Sequence, residues 1–113
     1  MRIAVVGPCA SGKTVLVDKL RALGYEVRQC AQEHSNAPTM WRLISRPDIL
    51  IYLDATLSII AQRRRIDWGE EYLAEQCRRL RDARQHCHLY IQTDGLSEEE
   101  VLERAVDFLR RKV

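Results

Sequence analysis

A chain of 113 residues fits one domain, 1–113, and its net charge of +2, from 18 Lys and Arg against 16 Asp and Glu, is too small to indicate a nucleic-acid partner by itself. With 46% hydrophobic and 30% charged residues, the composition is that of a compact enzyme-like domain, one that removes about two-thirds of its unfolded surface from water. No apolar run reaches the length of a membrane span, and Met1-Arg2-Ile3 leads straight into an apolar segment, so neither a membrane partner nor a secretory leader is expected.

The sequence opens with MRIAVVGPCASGKT. Ile3-Ala4-Val5-Val6 is continuous and β-branched, which predicts a strand covered on both faces. Gly7 ends it. From Gly7 the spacing is G-x-x-x-x-G-K-T, closing on Gly12, Lys13 and Thr14. Beyond it, Val15, Leu16, Val17, Leu20 and Leu23 line one apolar helical face. A glycine-bounded turn between a strand and a helix suits a polyphosphate. Backbone N–H groups can point inward only with unusual dihedrals and no Cβ in the way, which Gly7 and Gly12 allow. The helix start adds unpaired N–H groups and the positive end of its dipole. The expected phosphate cradle is Gly7, Pro8, Cys9, Ala10, Ser11, Gly12, Lys13 and Thr14. In it Lys13 reaches the β- and γ-phosphates of a nucleoside triphosphate, and the Thr14 hydroxyl holds Mg²⁺. The alternative is a glycine-rich strand-to-helix turn without a ligand.

Gly24 is placed to follow the last residue of that helix. YEVRQCA, 25–31, reads as a second strand. In QEHSNAPTMWRLISRP, Ser35, Asn36 and Pro38 mark a loop, 39–45 a short helix, and Pro47 its end. After Asp48, ILIYLDA is apolar almost throughout and is the clearest strand of the chain. Residues 56 to about 65 read as helical. Asp67 as N-cap, with Glu70 three residues on, opens a helix that carries Leu73, Cys77, Leu80 and Arg84 on one stripe and runs to about His86. HLYIQT, 88–93, is a fourth strand, and Asp94-Gly95 turns the chain. Ser97 and Glu100 form a second capping box, opening a helix with Val101, Leu102, Ala105, Val106 and Leu109 inward. Strands alternating with helices predict right-handed crossovers and an open parallel sheet, with ligands at the C-terminal strand ends. The glycine turn, Glu33 and Asp54 all fall at such ends.

Cys9, Cys30, Cys77 and Cys87 show no C-x-x-C spacing and read as free thiols of a reducing cytoplasm. Cys77 and Cys87 fall on one helical pattern as packing residues. Cys9 is either a bystander in the turn or a thiol made oxidisable by Lys13 and the helix start.

The second half, RPDILIYLDATLSIIAQRRR, then EEYLAEQCRRLRDA, then HLYIQTDGLSEEEVLERAVDFL, resembles the C-terminal half of P-loop nucleoside and nucleotide kinases, the thymidylate kinase and deoxynucleoside kinase group. There a PD-x-x-IYLD phrase is followed by a helix, an arginine-bearing lid, a second helix, a last strand and a final helix. The first 24 residues resemble the same group's phosphate loop and first helix. The resemblance implies an α/β fold of the three-layer P-loop NTPase type, Mg²⁺, and ATP before other nucleoside triphosphates, since no N-K-x-D guanine motif occurs. It also implies that Arg63, Arg64 and Arg65 are lid arginines that reach over the triphosphate and stabilise charge during transfer. Read from the residues alone, they are equally a solvated basic helix end, and three in succession cannot all point one way. The family carries a long middle section with acceptor-binding helices and a further strand. Here that interval is QEHSNAPTMWRLISRP, so a sheet of about four parallel strands is expected, with the phosphate-turn strand inside.

Two carboxylates compete for the chemistry. Asp54 ends an apolar strand in the manner of a Walker B acid that holds Mg²⁺ through water, or is a turn aspartate. Glu33, beside His34, would orient an attacking hydroxyl or water. Trp41 and Trp68 are core residues or stack on a base. His86 and His88 flank Cys87 at a helix-to-strand junction that splays them, so they form no metal-ligand cluster. The expectation is Mg²⁺-dependent binding of ATP or another nucleoside triphosphate, with phosphoryl transfer to a small acceptor or to water. The alternatives are a catalytically weak nucleotide-binding module that works through a partner or a homodimer and, less favoured, a nucleic-acid factor using the basic stretch 78–84.

Overall fold

Continuous apolar segments separated by amphipathic ones require a sheet that is covered on both faces. The computed structural model describes residues 1–8, 11–56, 59 and 70–112, with the backbone alone at Ile44, Ser45, Glu70 and Tyr72. Its strands are β1 (Arg2–Val6), β2 (Glu26–Gln29), β3 (Ile49–Asp54) and β4 (Leu89–Gln92). They form a four-stranded, all-parallel sheet in the order β2-β1-β3-β4. The strand that precedes the glycine turn therefore lies inside, between β2 and β3, as its uninterrupted apolar run demands. The helices are α1 (Lys13–Ala22), α2 (Glu70–Arg79), α3 (Arg81–His86) and α4 (Glu98–Lys112). An α/β sheet of this kind is what the sequence predicts.

Alternation along β1 and β3 divides the core in two. Ile3, Val5, Ile49, Ile51 and Leu53 point to one face, where they pack with Leu16, Val17 and Leu20 of α1 and Val101, Ala105 and Leu109 of α4. Ala4, Val6, Leu50 and Tyr52 point to the other, against Trp41, Leu80 and Ala83. Burying both faces of β3 explains why ILIYL contains no polar residue.

Local chemistry sets the helix ends. The Ser97 hydroxyl accepts from the Glu100 N–H at 3.1 Å while the Glu100 carboxylate accepts from the Ser97 N–H at 3.2 Å, the reciprocal box expected at the start of α4. At the end of α1 the Leu23 N–H donates to the Leu20 carbonyl and the Gly24 N–H to that of Arg21. Leu23 itself is 58% exposed, so the apolar face of α1 stops at Leu20, where the chain leaves the helix to enter β2.

Two other expectations change. The single helix foreseen to His86 divides at Leu80, whose N–H is shared between the Gln76 and Cys77 carbonyls at 3.0 and 3.2 Å. The buried stripe is Gln76, Leu80 and Ala83, whereas Cys77 and Arg84 are exposed and Leu73 is half-buried. The short helix foreseen over 39–45 is a wide π-type turn, Trp41–Ser45, closed by Arg46 at φ 43°. The helix expected over 56–65 and the Asp67 cap lie largely outside the described residues. No helix among the described residues is long and apolar enough to cross a membrane.

The α4 box gives the first prediction. Ser97→Ala removes one of its two bonds and lowers the unfolding free energy in urea by about 1 kcal/mol.

Candidate functional site

The polypeptide leaves β1 at Gly7, close against β3. A Cβ on Gly7 would collide with the Leu53 carbonyl oxygen and come within 2.9 Å of the Ser11 hydroxyl. Gly12 is needed for a different reason: it opens α1 at φ 98°, with nothing near its Cα. The α1 ladder begins with the Leu16 N–H donating to the Gly12 carbonyl at 3.1 Å. By helix geometry the N–H groups before it face out of the helix end, toward the sheet's C-terminal edge.

Lys13 is the first residue of α1 and is only 5% exposed. Its ammonium donates to the Gly7 carbonyl at 2.6 Å and reaches the Pro8 carbonyl at 3.5 Å. It also forms a buried ion pair and hydrogen bond with Glu33 Oε2. Glu33 is 3% exposed and sits on a 3₁₀ turn, Gln32–His34, that follows β2. Two oxygens beside this pair are buried without a hydrogen-bond partner: Ser11 Oγ and Glu33 Oε1. Buried polar atoms are ordinarily satisfied, so these two oxygens, one close to Gly7 and one on the carboxylate that meets Lys13, stand out. The Lys13 ammonium, the Ser11 hydroxyl and the N–H groups at the start of α1 are the donors of this turn.

The turn that carries Glu33 is held by a residue that sequence reasoning missed. Gln32 is fully buried, and its side-chain amide donates to the Ala37 carbonyl at 2.8 Å and the Arg79 carbonyl at 3.1 Å. Its amide oxygen accepts from the Trp41 N–H at 2.9 Å. The Arg79 guanidinium donates to the Glu33 carbonyl at 3.3 Å and pairs with Glu75 at 3.2 Å. One glutamine thus ties the loop after β2, the Trp41 turn and the end of α2 into a single support. A polar residue in a stretch without periodicity gives no sign of burial, so only its position after a strand could have drawn notice.

The remaining candidates divide. Thr14 is exposed, and its hydroxyl donates to Gln29 Oε1 at 2.9 Å. Asp54 belongs to the opposite side of the sheet, in phase with Leu50 and Tyr52. Its Oδ2 accepts from the Tyr90 hydroxyl at 2.5 Å and its Oδ1 from the Ala55 N–H at 2.9 Å. Among the described residues no bond joins Asp54 to Lys13, Thr14 or Glu33. Burial first, and then the bond to Asp54, push the Tyr90 phenol up to about 12, so at neutral pH the phenol keeps its proton and donates it. The Tyr90 ring stacks on Tyr52 at 5.6 Å, and the Arg84 guanidinium lies 5.1 Å from its centroid. Trp41 is 5% exposed and its indole donates to Asp82 at 3.0 Å, which makes it a core residue. His86 lies beside Trp41, whereas His88 Nδ1 accepts from the Leu50 N–H at 2.9 Å, so the two imidazoles diverge as expected. Cys30 is buried, Cys77 exposed and Cys87 half-buried, with its thiol donating to the Arg84 carbonyl at 3.2 Å. Cys9, Ala10, Arg63, Arg64, Arg65 and Trp68 lie outside the described residues.

No protein-family model matches the chain, and none of the curated proteins matches it significantly.

A buried ion pair is costly to break from one side. Lys13→Met, which leaves the Glu33 carboxylate without its counter-charge, lowers the unfolding free energy by about 3 kcal/mol or more. Adding Glu33→Leu to that variant restores most of the loss in the same denaturant titration. Equal losses in the single and double variants would contradict the pairing.

Proposed function

We propose that the chain is a P-loop domain of the kinase type, which binds a magnesium nucleoside triphosphate, ATP foremost, at the 7–14 turn. There it transfers the terminal phosphoryl group to a small acceptor or to water. One observation carries the reading: a buried ammonium, Lys13, at the end of a strand crossing that only glycine permits, on a turn where Ser11 Oγ is buried without a partner. The G-x-x-x-x-G-K-T spacing and the resemblance to nucleoside and nucleotide kinases supply the phosphate and the base.

Each residue has a physical task in this reading. Gly7 and Gly12 let the backbone approach the phosphates. Lys13 and the N–H groups at the start of α1 hold negative charge in place, which is most of what phosphoryl transfer asks of a protein. Thr14 is the residue that would hold Mg²⁺, giving up its bond to Gln29. The bound cation supplies charge neutralisation on the phosphate oxygens. Glu33, once free of Lys13, orients the attacking oxygen. Asp54, tied to Tyr90, is the second carboxylate at the strand ends, and Arg63 and Arg64 are the lid cations that the resemblance implies.

A second reading has an observation of its own. Lys13 is enclosed and already neutralised by Glu33, which favours a module that binds nucleotide without appreciable turnover and signals through a partner.

Calorimetry with Mg²⁺ and ATP is expected to show one site. The double variant Lys13→Met/Glu33→Leu, which keeps the fold without the ammonium, is expected to bind at least about 10-fold more weakly. Release of ADP then separates the readings: turnover supports the kinase type, and binding without turnover supports the module. No heat with any magnesium nucleoside triphosphate would contradict both.

A further inference from the structure

The carboxylate of Glu33 is in hydrogen-bonding contact with the Lys13 ammonium, the group that the proposed function assigns to phosphate. It is the site's own occupant. Resting on the phosphate-site reading above, we propose that Glu33 is an internal competitor for Lys13 that makes the site selective for polyphosphates over singly phosphorylated anions.

Three features support the role. First, the carboxylate is delivered by a fixed support. Gln32 holds the 3₁₀ turn through three bonds, and Arg79 holds the Glu33 carbonyl, so the group is presented to Lys13 without a search. A tethered carboxylate acts at a high effective concentration, against which a free ligand must compete. Second, displacing it is opposed by more than the lost ion pair. Glu33 is 3% exposed, and its second oxygen already lacks a partner. A carboxylate released from Lys13 but left in place would be a buried charge beside an incoming anion. Third, the rest of the cradle is not blocked in this way. Ser11 Oγ is buried without a partner, and the first N–H groups of α1 precede the ladder that starts at Leu16.

A ligand with one phosphate gains Lys13 only by expelling Glu33, exchanging one anion for another. A di- or triphosphate can engage the hydroxyl and the helix end with one phosphate and compete for Lys13 with the next. Discrimination therefore comes from the competitor as well as from added contacts, in the manner of an interface that specifies against a wrong partner. A ligand that depends on Lys13 alone binds only the fraction of molecules in which Lys13 is released, and that fraction scales its apparent affinity, whereas a polyphosphate anchored elsewhere on the turn is scaled by less.

The test is isothermal calorimetry with sodium tripolyphosphate and with inorganic phosphate, on the full chain and on Glu33→Gln. The glutamine keeps an oxygen for Lys13 but not the charge. The expected result is that tripolyphosphate binds Glu33→Gln about 10-fold or more tightly than the unaltered chain. Inorganic phosphate is expected to gain by a larger factor, so that the ratio between the two ligands narrows. Affinity that is unchanged or reduced in folded Glu33→Gln would overturn the competitor role while leaving the phosphate site intact. If neither anion binds either protein, the competitor and the phosphate-site reading both fall. Should Glu33→Gln fail to fold, Glu33→Asp decides by the same comparison, since its shortened side chain weakens the hold on Lys13 and keeps a negative charge nearby.

Discussion

The buried pair of Lys13 and Glu33 is the constraint on which the candidate site depends. An ammonium and a carboxylate out of water are tolerated only when they face each other and their remaining valences are met. Lys13 meets this condition with the Gly7 carbonyl and Glu33. Glu33 meets it with only one of its oxygens. The pair joins the end of β1 to the turn after β2, and so fixes the geometry of the edge where three segments converge. Because the two charges face each other, neither is left uncompensated at this edge of the sheet.

The fold positions this pair through the two-faced packing of the central strands. Odd-numbered residues of β1 and β3 are buried under α1 and α4, and even-numbered ones against Trp41, Leu80 and Ala83. α1 must therefore begin on one face, whereas the loop after β2 is tied to the end of α2 through Gln32. Lys13 reaches from the first layer and Glu33 from the second, meeting at the strand tip. Asp54 ends β3 in phase with the second layer and is absorbed by Tyr90 and its own turn. The two carboxylates at the strand ends are thus in different surroundings: one faces a cation, the other a phenol.

The sequence made the sheet legible because β1 and β3 are apolar on both faces and the turns between elements carry glycine or a capping box. The glycine turn between β1 and α1 was legible for the same reason, since Gly7 and Gly12 mark the end of the strand and the start of the helix. What could not be read was which carboxylate meets Lys13, because Glu33 and Asp54 are both acids after strands, and what separates them is tertiary: Tyr90 takes Asp54, whereas the turn held by Gln32 presents Glu33. Gln32 was illegible too: a glutamine among loop residues gives no periodic signal, and its burial arises from contacts with residues 37, 41 and 79. The buried stripe of these helices was misplaced because Leu73, Cys77, Leu80 and Arg84 have helical spacing just as Gln76, Leu80 and Ala83 do, and only the packing against the sheet chooses between them. The exposure of Leu23 has a similar origin, in a chain reversal that periodicity does not register.

The chain contains three lysines, Lys13, Lys19 and Lys112, so their ammonium groups can be observed individually by ¹⁵N-resolved NMR of the side chains. Lys19 pairs with Glu98 and Glu99 on the surface, and Lys112 lies near the end of α4, over Phe108. The account predicts that the Lys13 ammonium alone exchanges slowly with water, and that tripolyphosphate shifts it while leaving the other two in place. A Lys13 signal that exchanges as fast as that of Lys112 and ignores tripolyphosphate would contradict the buried ammonium and the anion site together.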